Sequence, residues 1–365
     1  MYTSLEIKGF RCFKHLTIPK LARLNLIGGK NNTGKTALLE GIAFRAAVAR
    51  SPDAIPALYQ VREVDLAKAG FHFGFRDLFC DGLQGWEVSV ATGTTPPASG
   101  ADGGTAVFTM SGAPVAPMSV QVDVAGEASV PRTGPVPGRS SALLNLDLAL
   151  EEPGQEPVRA SARWEAGKIQ LATTAPPLGP QRLYFVTTKR LANGTEAAQR
   201  LAMMQISGQA GPVVGTLKVV EPGLTDLRVV PAGDGSVVYA EVSGRTFRPL
   251  GMLGEGMNRL LDIAVGLGAV PGYTLLIDEV ETGLHYSVMP DVWRAIAQAA
   301  SELDVQVFAT THSHECVEAA YEATEGMPED TFLYHRLDRV DEGIVCRTYR
   351  REVLAAAFET ELEVR

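Results

Sequence analysis

Leu24-Asn25-Leu26-Ile27 reads as a buried strand, and Leu38, Leu39, Ile42 and Ala46 recur behind it at helical spacing. Between them lies Gly29-Lys-Asn-Asn-Thr-Gly34-Lys35-Thr36, two glycines separated by four residues and followed by Lys and Thr. That is the phosphate-binding loop pattern, and it constrains the fold more than any other stretch of the chain. Glycine lets the backbone curl so that successive N–H groups point inward at phosphate oxygens. A lysine adds a point charge for the outer phosphates, and a threonine hydroxyl is a hard ligand for Mg²⁺. Strand, glycine turn and helix N-terminus together make an anion site. Gly29, Asn31, Asn32, Thr33, Gly34, Lys35, Thr36 and Ala37 are its candidate contacts.

Two later segments narrow the chemistry. Thr274-Leu-Leu-Ile-Asp278-Glu279 is an apolar strand ending in two carboxylates. Asp278 at such a strand end can hold Mg²⁺, and Glu279 can orient and deprotonate an attacking water. Val305-Gln-Val-Phe-Ala-Thr310-Thr311-His312-Ser313 is a second buried strand, ending in polar residues and a histidine. Val288, Val292, Ile296, Ala299 and Leu303 lie between the two at helical spacing, so the region reads as one βαβ unit with two parallel strands. Residues at the carboxyl ends of such strands converge in one crevice, which brings His312 to a γ-phosphate. Leu253-Gly254-Glu255-Gly256-Met257-Asn258-Arg259 precedes an amphipathic helix carrying Leu260, Leu261, Ile263, Ala264 and Leu267. Its glycines offer N–H groups to an anion.

The remainder is less specific. Residues 3–8 alternate as a strand, 9–13 form a turn, and 16–27 hold two strand-like segments around Pro19. The helix after the glycine loop extends to about residue 50. Residues 59–80 read as a short helix followed by an aromatic segment. Strand-like runs at 86–91, 106–110, 119–124, 143–150, 158–164 and 168–173, with Gly/Pro/Ser/Thr connectors, predict an antiparallel sheet. Another buried strand falls at 183–187. Residues 195–222 are helical in pieces broken by Gly208, Gly211 and Pro212, and 226–248 alternate again.

The composition is that of an ordinary globular protein: 365 residues, 45% hydrophobic and 21% charged. No apolar run approaches the ~20 residues of a membrane span, and the N-terminus lacks signal-peptide character. Cys12, Cys80, Cys316 and Cys346 show no paired metal spacing and read as buried thiols of a reducing, cytoplasmic compartment. A net charge of −9 does not advertise nucleic-acid binding, although Lys8, Arg11, Lys14, Lys20 and Arg23, or Arg182, Lys189 and Arg190, could form a local basic face.

Together and in this order, the segments resemble the ABC-type ATPase heads of the RecF/SMC-like group, and most of all the OLD (overcoming lysogenization defect) family. The resemblance rests on Leu-Glu-Ile-Lys-Gly-Phe-Arg-Cys-Phe with the glycine loop, the Leu-Gly-Glu-Gly-Met-Asn-Arg signature, Leu-Leu-Ile-Asp-Glu-Val-Glu-Thr-Gly-Leu-His as Walker B and D-loop, and Ala-Thr-Thr-His-Ser as the switch loop. It covers residues 1–50 and about 250–320. It implies an α/β fold, a P-loop NTPase of ABC-ATPase type with a β-rich antiparallel lobe packed against a mixed or parallel nucleotide-binding sheet. One composite head spans 1–365, with a P-loop segment (1–50), a β-rich lobe (51–180) and a C-terminal half (181–365).

The resemblance also implies ATP and Mg²⁺ held between two face-to-face copies of the chain. Thr36 and Asp278 would serve the metal, Glu279 would be the base and His312 the γ-phosphate switch. Gly254, Glu255 and Gly256 would act in trans, and Arg11 would touch the nucleotide. Gln84 and Gln121 are the candidates for a Q-loop. Gly254 stands where many signatures carry serine, and the residues after the switch loop are too few for the Toprim nuclease of OLD proteins. The expectation is therefore an ATPase in DNA maintenance or anti-phage defence with a separate effector. The alternative is a nucleotide-gated module with little turnover that regulates a partner nuclease. A kinase or GTPase leaves the signature and switch loop unexplained.

Overall fold

The structure, a computed structural model, describes residues 1–48, 80, 86–94, 105–114, 143–151, 157–165, 168–173, 183–188, 195–233, 235–269 and 274–360. The strands are β1 (Tyr2–Phe10), β2 (Phe13–Ile18), β3 (Leu24–Gly28), β4 (Trp86–Thr94), β5 (Thr105–Pro114), β6 (Leu143–Glu151), β7 (Val158–Glu165), β8 (Lys168–Thr173), β9 (Leu183–Val186), β10 (Leu224–Ala232), β11 (Gly235–Val242), β12 (Arg248–Pro249), β13 (Thr274–Ile277), β14 (Gln306–Thr310), β15 (Phe332–Val340) and β16 (Gly343–Tyr349). The helices are α1 (Lys35–Val48), α2 (Thr195–Ile206), α3 (Gly211–Leu217), α4 (Glu255–Ala269), α5 (Met289–Glu302), α6 (His314–Ala323) and α7 (Arg351–Glu359).

The central sheet has the order β16-β15-β3-β14-β13-β9; every pairing is parallel except β15 with β16. Every residue of β3, β13 and β14 is buried, as strands covered on both faces must be. Leu24, Leu26 and Ile27 are sealed from solvent, and each contributes about 1.5–3 kcal/mol through burial. Asn25 is the polar exception. Its amide donates to the carbonyls of Ala22 (2.8 Å) and Val307 (3.2 Å), and its Oδ1 accepts from Ala22 N–H (2.8 Å). The expected βαβ unit is present: Thr274 lies opposite Gln306 and Ile277 opposite Ala309, with α5 as the crossover.

The antiparallel sheet has the order β2-β1-β4-β5-β6-β7-β8. It is not confined to the 51–180 lobe, because the N-terminal hairpin supplies two of its strands. Leu5 and Ile7 face inward on β1 while Glu6 between them does not, and β1 pairs with β2 on one side and β4 on the other. The sheet is tied to the central one where Tyr2 N–H donates to Gln306 Oε1 (2.7 Å) and Gln306 Nε2 returns a bond to Tyr2 O (2.8 Å). A third sheet, β10-β11-β12, accounts for the alternation at 226–248.

Two local expectations change. Pro212 does not break a helix but opens α3 from its first turn, where a missing N–H costs nothing. Only Cys316 is fully buried; Cys12, Cys80 and Cys346 are half-buried, and all four are free thiols. The strand at 119–124, the segment at 59–79, Gln84, Gln121, Arg182, Lys189 and Arg190 lie outside the described residues.

Candidate nucleotide-binding site

The glycine loop joins β3 to α1. Gly29 has φ 131° and Gly34 φ 91°, values that L side chains rarely adopt. Space demands glycine as well. A Cβ on Gly29 would lie 2.4 Å from Leu337 O, and one on Gly34 would lie 2.7 Å from both Cys12 Sγ and the Phe13 ring. The turn between β1 and β2 is therefore packed directly on the loop. Asn32 is left-handed at φ 63°, and its carbonyl accepts from Arg339 Nη2 (2.9 Å). Thr33 Oγ1 donates to Lys30 O (2.8 Å). Lys35 Nζ folds back over the loop onto the carbonyls of Gly29 (2.8 Å) and Lys30 (3.0 Å). Burial holds this ammonium below its ordinary range, and Glu279, Glu281 and Asp278 oppose that shift.

β13 and β14 bring the other predicted residues alongside. Thr36 Oγ1 donates to Asp278 Oδ1 (3.1 Å) and Oδ2 (3.2 Å). Thr310 Oγ1 donates to Asp278 Oδ1 (2.7 Å) and accepts from Glu279 N–H (2.8 Å). Burial raises the Asp278 carboxyl, while its bonds to Thr310 and Thr36 lower it. Among the described residues no cation lies within ion-pair distance of this buried carboxylate. Hydroxyl and carboxylate oxygens are hard ligands, so Thr36 and Asp278 fit Mg²⁺ sharing its shell with phosphate and water. Among the described residues no group of three or more His, Cys, Asp or Glu forms a metal site of its own. Glu279 sits at φ 48°, and Thr282 Oγ1 donates to its Oε2 (3.3 Å). His312 Nδ1 lies 4.0 Å from Glu279 Oε1 and 3.0 Å from Glu281 Oε1.

Two residues at the heart of this arrangement escape a reading of the sequence. Glu281 accepts from Thr311 Oγ1 (2.8 Å) and His312 N–H (2.9 Å), tying the loop after β13 to the loop after β14. Arg259, 7% exposed, projects from the first turns of α4. It donates to the carbonyls of Thr187 and Asp278, and to that of Glu279 at 3.2 Å. Burial lowers its pKa, and Asp262, Asp278, Glu279 and Glu281 push the other way. Its only sequence signal is its place in the glycine-rich run that opens α4.

The signature residues stand at the start of α4. Gly254 and Glu255 are exposed. A Cβ on Gly256 would lie 2.4 Å from Gly283 O, so this turn rests on the segment after β13. Gly254 has φ 124° with open space around it: its backbone, not crowding, favours glycine where a serine stands in many signatures. Arg11 is also accounted for. Its Nε pairs with Glu40 Oε2 at 2.7 Å, and Glu40 is sealed from solvent. Lys8 pairs with Glu6, and Arg23 with Asp304, which thins the candidate basic face.

Fold and site define a P-loop nucleotide-binding domain with the α/β fold of ABC-type ATPase heads. Particular proteins share parts of it. One family model, "AAA domain, putative AbiEii toxin, Type IV TA system", matches residues 148–318, and a second, "AAA domain", matches 4–54. A protein of Helicobacter pylori described as "ATP/GTP phosphatase" is 33% identical over 118 residues, 31% of this chain and 32% of that protein. The chain thus aligns with about a third of that relative's length. An SMC head bound to the C-winged helix domain of ScpA is similar in structure, with TM-score 0.54, 16% identity, and coverage of 98% of this chain and 99% of that one. An SMC head from Pyrococcus furiosus with an extended coiled coil has TM-score 0.49, 12% identity, and coverage of 99% of each chain. No helix among the described residues is long and apolar enough to cross a membrane.

Proposed function

We propose that the protein binds ATP on the loop at 29–37 and hydrolyses it. The observation that carries this reading is the convergence of three neighbouring strand ends. Thr36 meets Asp278 within 3.2 Å, and Glu279 and His312 flank the same point. Lys35 and the N–H groups of the loop would hold the β and γ phosphates. Mg²⁺, held by Thr36 and Asp278, would neutralise charge on the phosphoryl oxygens. Glu279 orients a water for in-line attack on the γ phosphorus and takes its proton. The bond to the bridging oxygen breaks, and ADP and phosphate leave. His312 faces the transferring group. Arg11, held by Glu40, would reach a nucleotide only through its remaining N–H groups.

The signature would act in a second copy. Arg259 and Gly256 fix the N-terminus of α4 to the ends of β13 and β9. Gly254 and Glu255 are exposed at its tip, and so open to phosphates on the loop of a second copy. A role in DNA maintenance or anti-phage defence, with a separate effector and in the cytoplasm, is the setting we favour. It is supported by the SMC-head architecture and by the mention of a putative toxin in one family description.

The test is steady-state ATP turnover combined with mass measurement of wild type and Glu279→Gln, with and without ATP and Mg²⁺. The expected result is turnover in wild type only, and an ATP-dependent dimer trapped in the variant. Equal turnover in both would remove Glu279 as the base. A monomer under every condition would remove the shared site. ATP-dependent dimerisation without wild-type turnover would favour the nucleotide-gated module.

A further inference from the structure

We infer that Glu281 is a positioning residue which fixes the tautomer and orientation of His312, presenting its Nε2 to the nucleotide; this rests on the hydrolysis reading above. One oxygen, Glu281 Oε1, accepts from Thr311 Oγ1 at 2.8 Å and His312 N–H at 2.9 Å, and lies 3.0 Å from His312 Nδ1. Its other oxygen is buried and has no hydrogen-bond partner among the described residues. The carboxylate is thus committed to the switch loop through a single atom.

An ionised carboxylate can only accept, and a bare nitrogen lone pair 3.0 Å from it would repel it, which favours hydrogen on Nδ1. The main-chain bond to His312 N–H fixes where the residue starts, and the negative charge 3.0 Å from Nδ1 favours the ring turned with that nitrogen toward it. Glu279 lies 4.0 Å from the same nitrogen, beyond hydrogen-bond range. Of the two carboxylates, Glu281 therefore sets the ring. The main chain that carries it is held: Val280 N–H donates to Thr310 O (3.0 Å) and Leu284 N–H to Glu281 O (3.0 Å). Its side chain is 13% exposed, against 42% for Glu279, which separates an internal brace from a group open to water and substrate.

The readout is the tautomer of His312, observed by ¹⁵N NMR of histidine-labelled protein without nucleotide, at about pH 8.5 so that ordinary histidines are neutral. His312→Gln assigns the signal. Wild type and Glu279→Gln should both show hydrogen on Nδ1. Glu281→Ala should move it toward Nε2, and Glu281→Gln, whose amide oxygen still accepts, should retain the wild-type form. ATP turnover should fall roughly 10- to 100-fold in Glu281→Ala, the cost of one charge-assisted hydrogen bond, and recover substantially in Glu281→Gln. Hydrogen on Nε2 in wild type, or a tautomer unmoved in Glu281→Ala, would overturn the inference. Because the tautomer is read without hydrolysis, failure of the ATPase reading would show separately, as wild type that never turns over.

Discussion

Removal of the Arg259 side chain should loosen the end of β13 from the signature helix. The guanidinium is buried, and it donates to the carbonyls of Thr187, Asp278 and Glu279. These carbonyls belong to the ends of two neighbouring strands, and the donor belongs to α4. Hydrogen bonds from a charged donor contribute about 1.5–3 kcal/mol each. Against that stands the desolvation of the guanidinium, several kcal/mol, which truncation returns. Breaking a buried polar set by deleting one side leaves the other side unpaired, and the net loss is then about 3–5 kcal/mol.

Arg259→Met keeps most of the apolar stem and deletes the fork, so it isolates the hydrogen bonds from the packing. Arg259→Lys keeps the charge but cannot span three carbonyls. The expected order of urea midpoints is wild type, then Lys, then Met, with Met lowered by on the order of 1 M and the slope unchanged. Turnover should fall in the same order, because the carbonyl of Glu279 is one of the acceptors. Arg259→Met with a wild-type midpoint and wild-type turnover would refute the claim that the guanidinium holds these strand ends together.

Other perturbations separate binding from folding. Gly34→Ala forces φ 91° on an alanine whose Cβ meets Cys12 and Phe13 at 2.7 Å; nucleotide-induced thermal stabilisation should vanish, with about 1–3 kcal/mol of stability lost. Arg11→Ala removes a charged partner from the fully buried Glu40 and should cost about 3–5 kcal/mol, whereas Arg339→Ala on the exposed rim of the loop should change stability by less than about 0.5 kcal/mol; paired urea melts decide this. His335 is fully buried between Asn25 and Thr348, and burial lowers its pKa to about 3. The unfolded chain therefore takes the proton first: this contribution is present above pH 6.5 and is lost as pH falls toward 3. Between about pH 7 and pH 5 it removes about 2 kcal/mol, and His335→Gln should flatten that part of the stability profile.

What the sequence made legible was local. Asp278, Glu279 and His312 each follow directly on the end of an apolar strand, and Lys35 and Thr36 open the helix behind the glycine loop that leaves β3, so periodicity, motif and strand order suffice to converge them. What it hid was contact across the chain. Arg259 reaches Thr187, 72 residues away in sequence. Glu281 reaches the loop after β14, and Arg11 is taken by Glu40. The hairpin at 2–18 alternates as strands should, but nothing local says that it joins strands from 86–173 rather than the P-loop strand. Glu279 at φ 48° is hidden for a different reason: glutamate carries no signal for a left-handed backbone, and the conformation is imposed by its neighbours.

That backbone explains how the site is divided. A non-glycine residue in the left-handed region stores about 1–3 kcal/mol of strain, so its surroundings must over-determine it. Thr310 takes the N–H of Glu279, while Arg259 and Thr282 N–H donate to its carbonyl. Three separate stretches of chain thus lock the proposed base. The signature turn is tied down by Arg259 at its root and open at its tip, where Gly254 and Glu255 are exposed and Met252 and Tyr286 stand 74% and 67% exposed. Rigidity is concentrated where a water must be aimed, and exposure where the proposed second copy must dock. Because Arg259 belongs to both regions, movement of α4 on docking would bear directly on the carbonyl of Glu279.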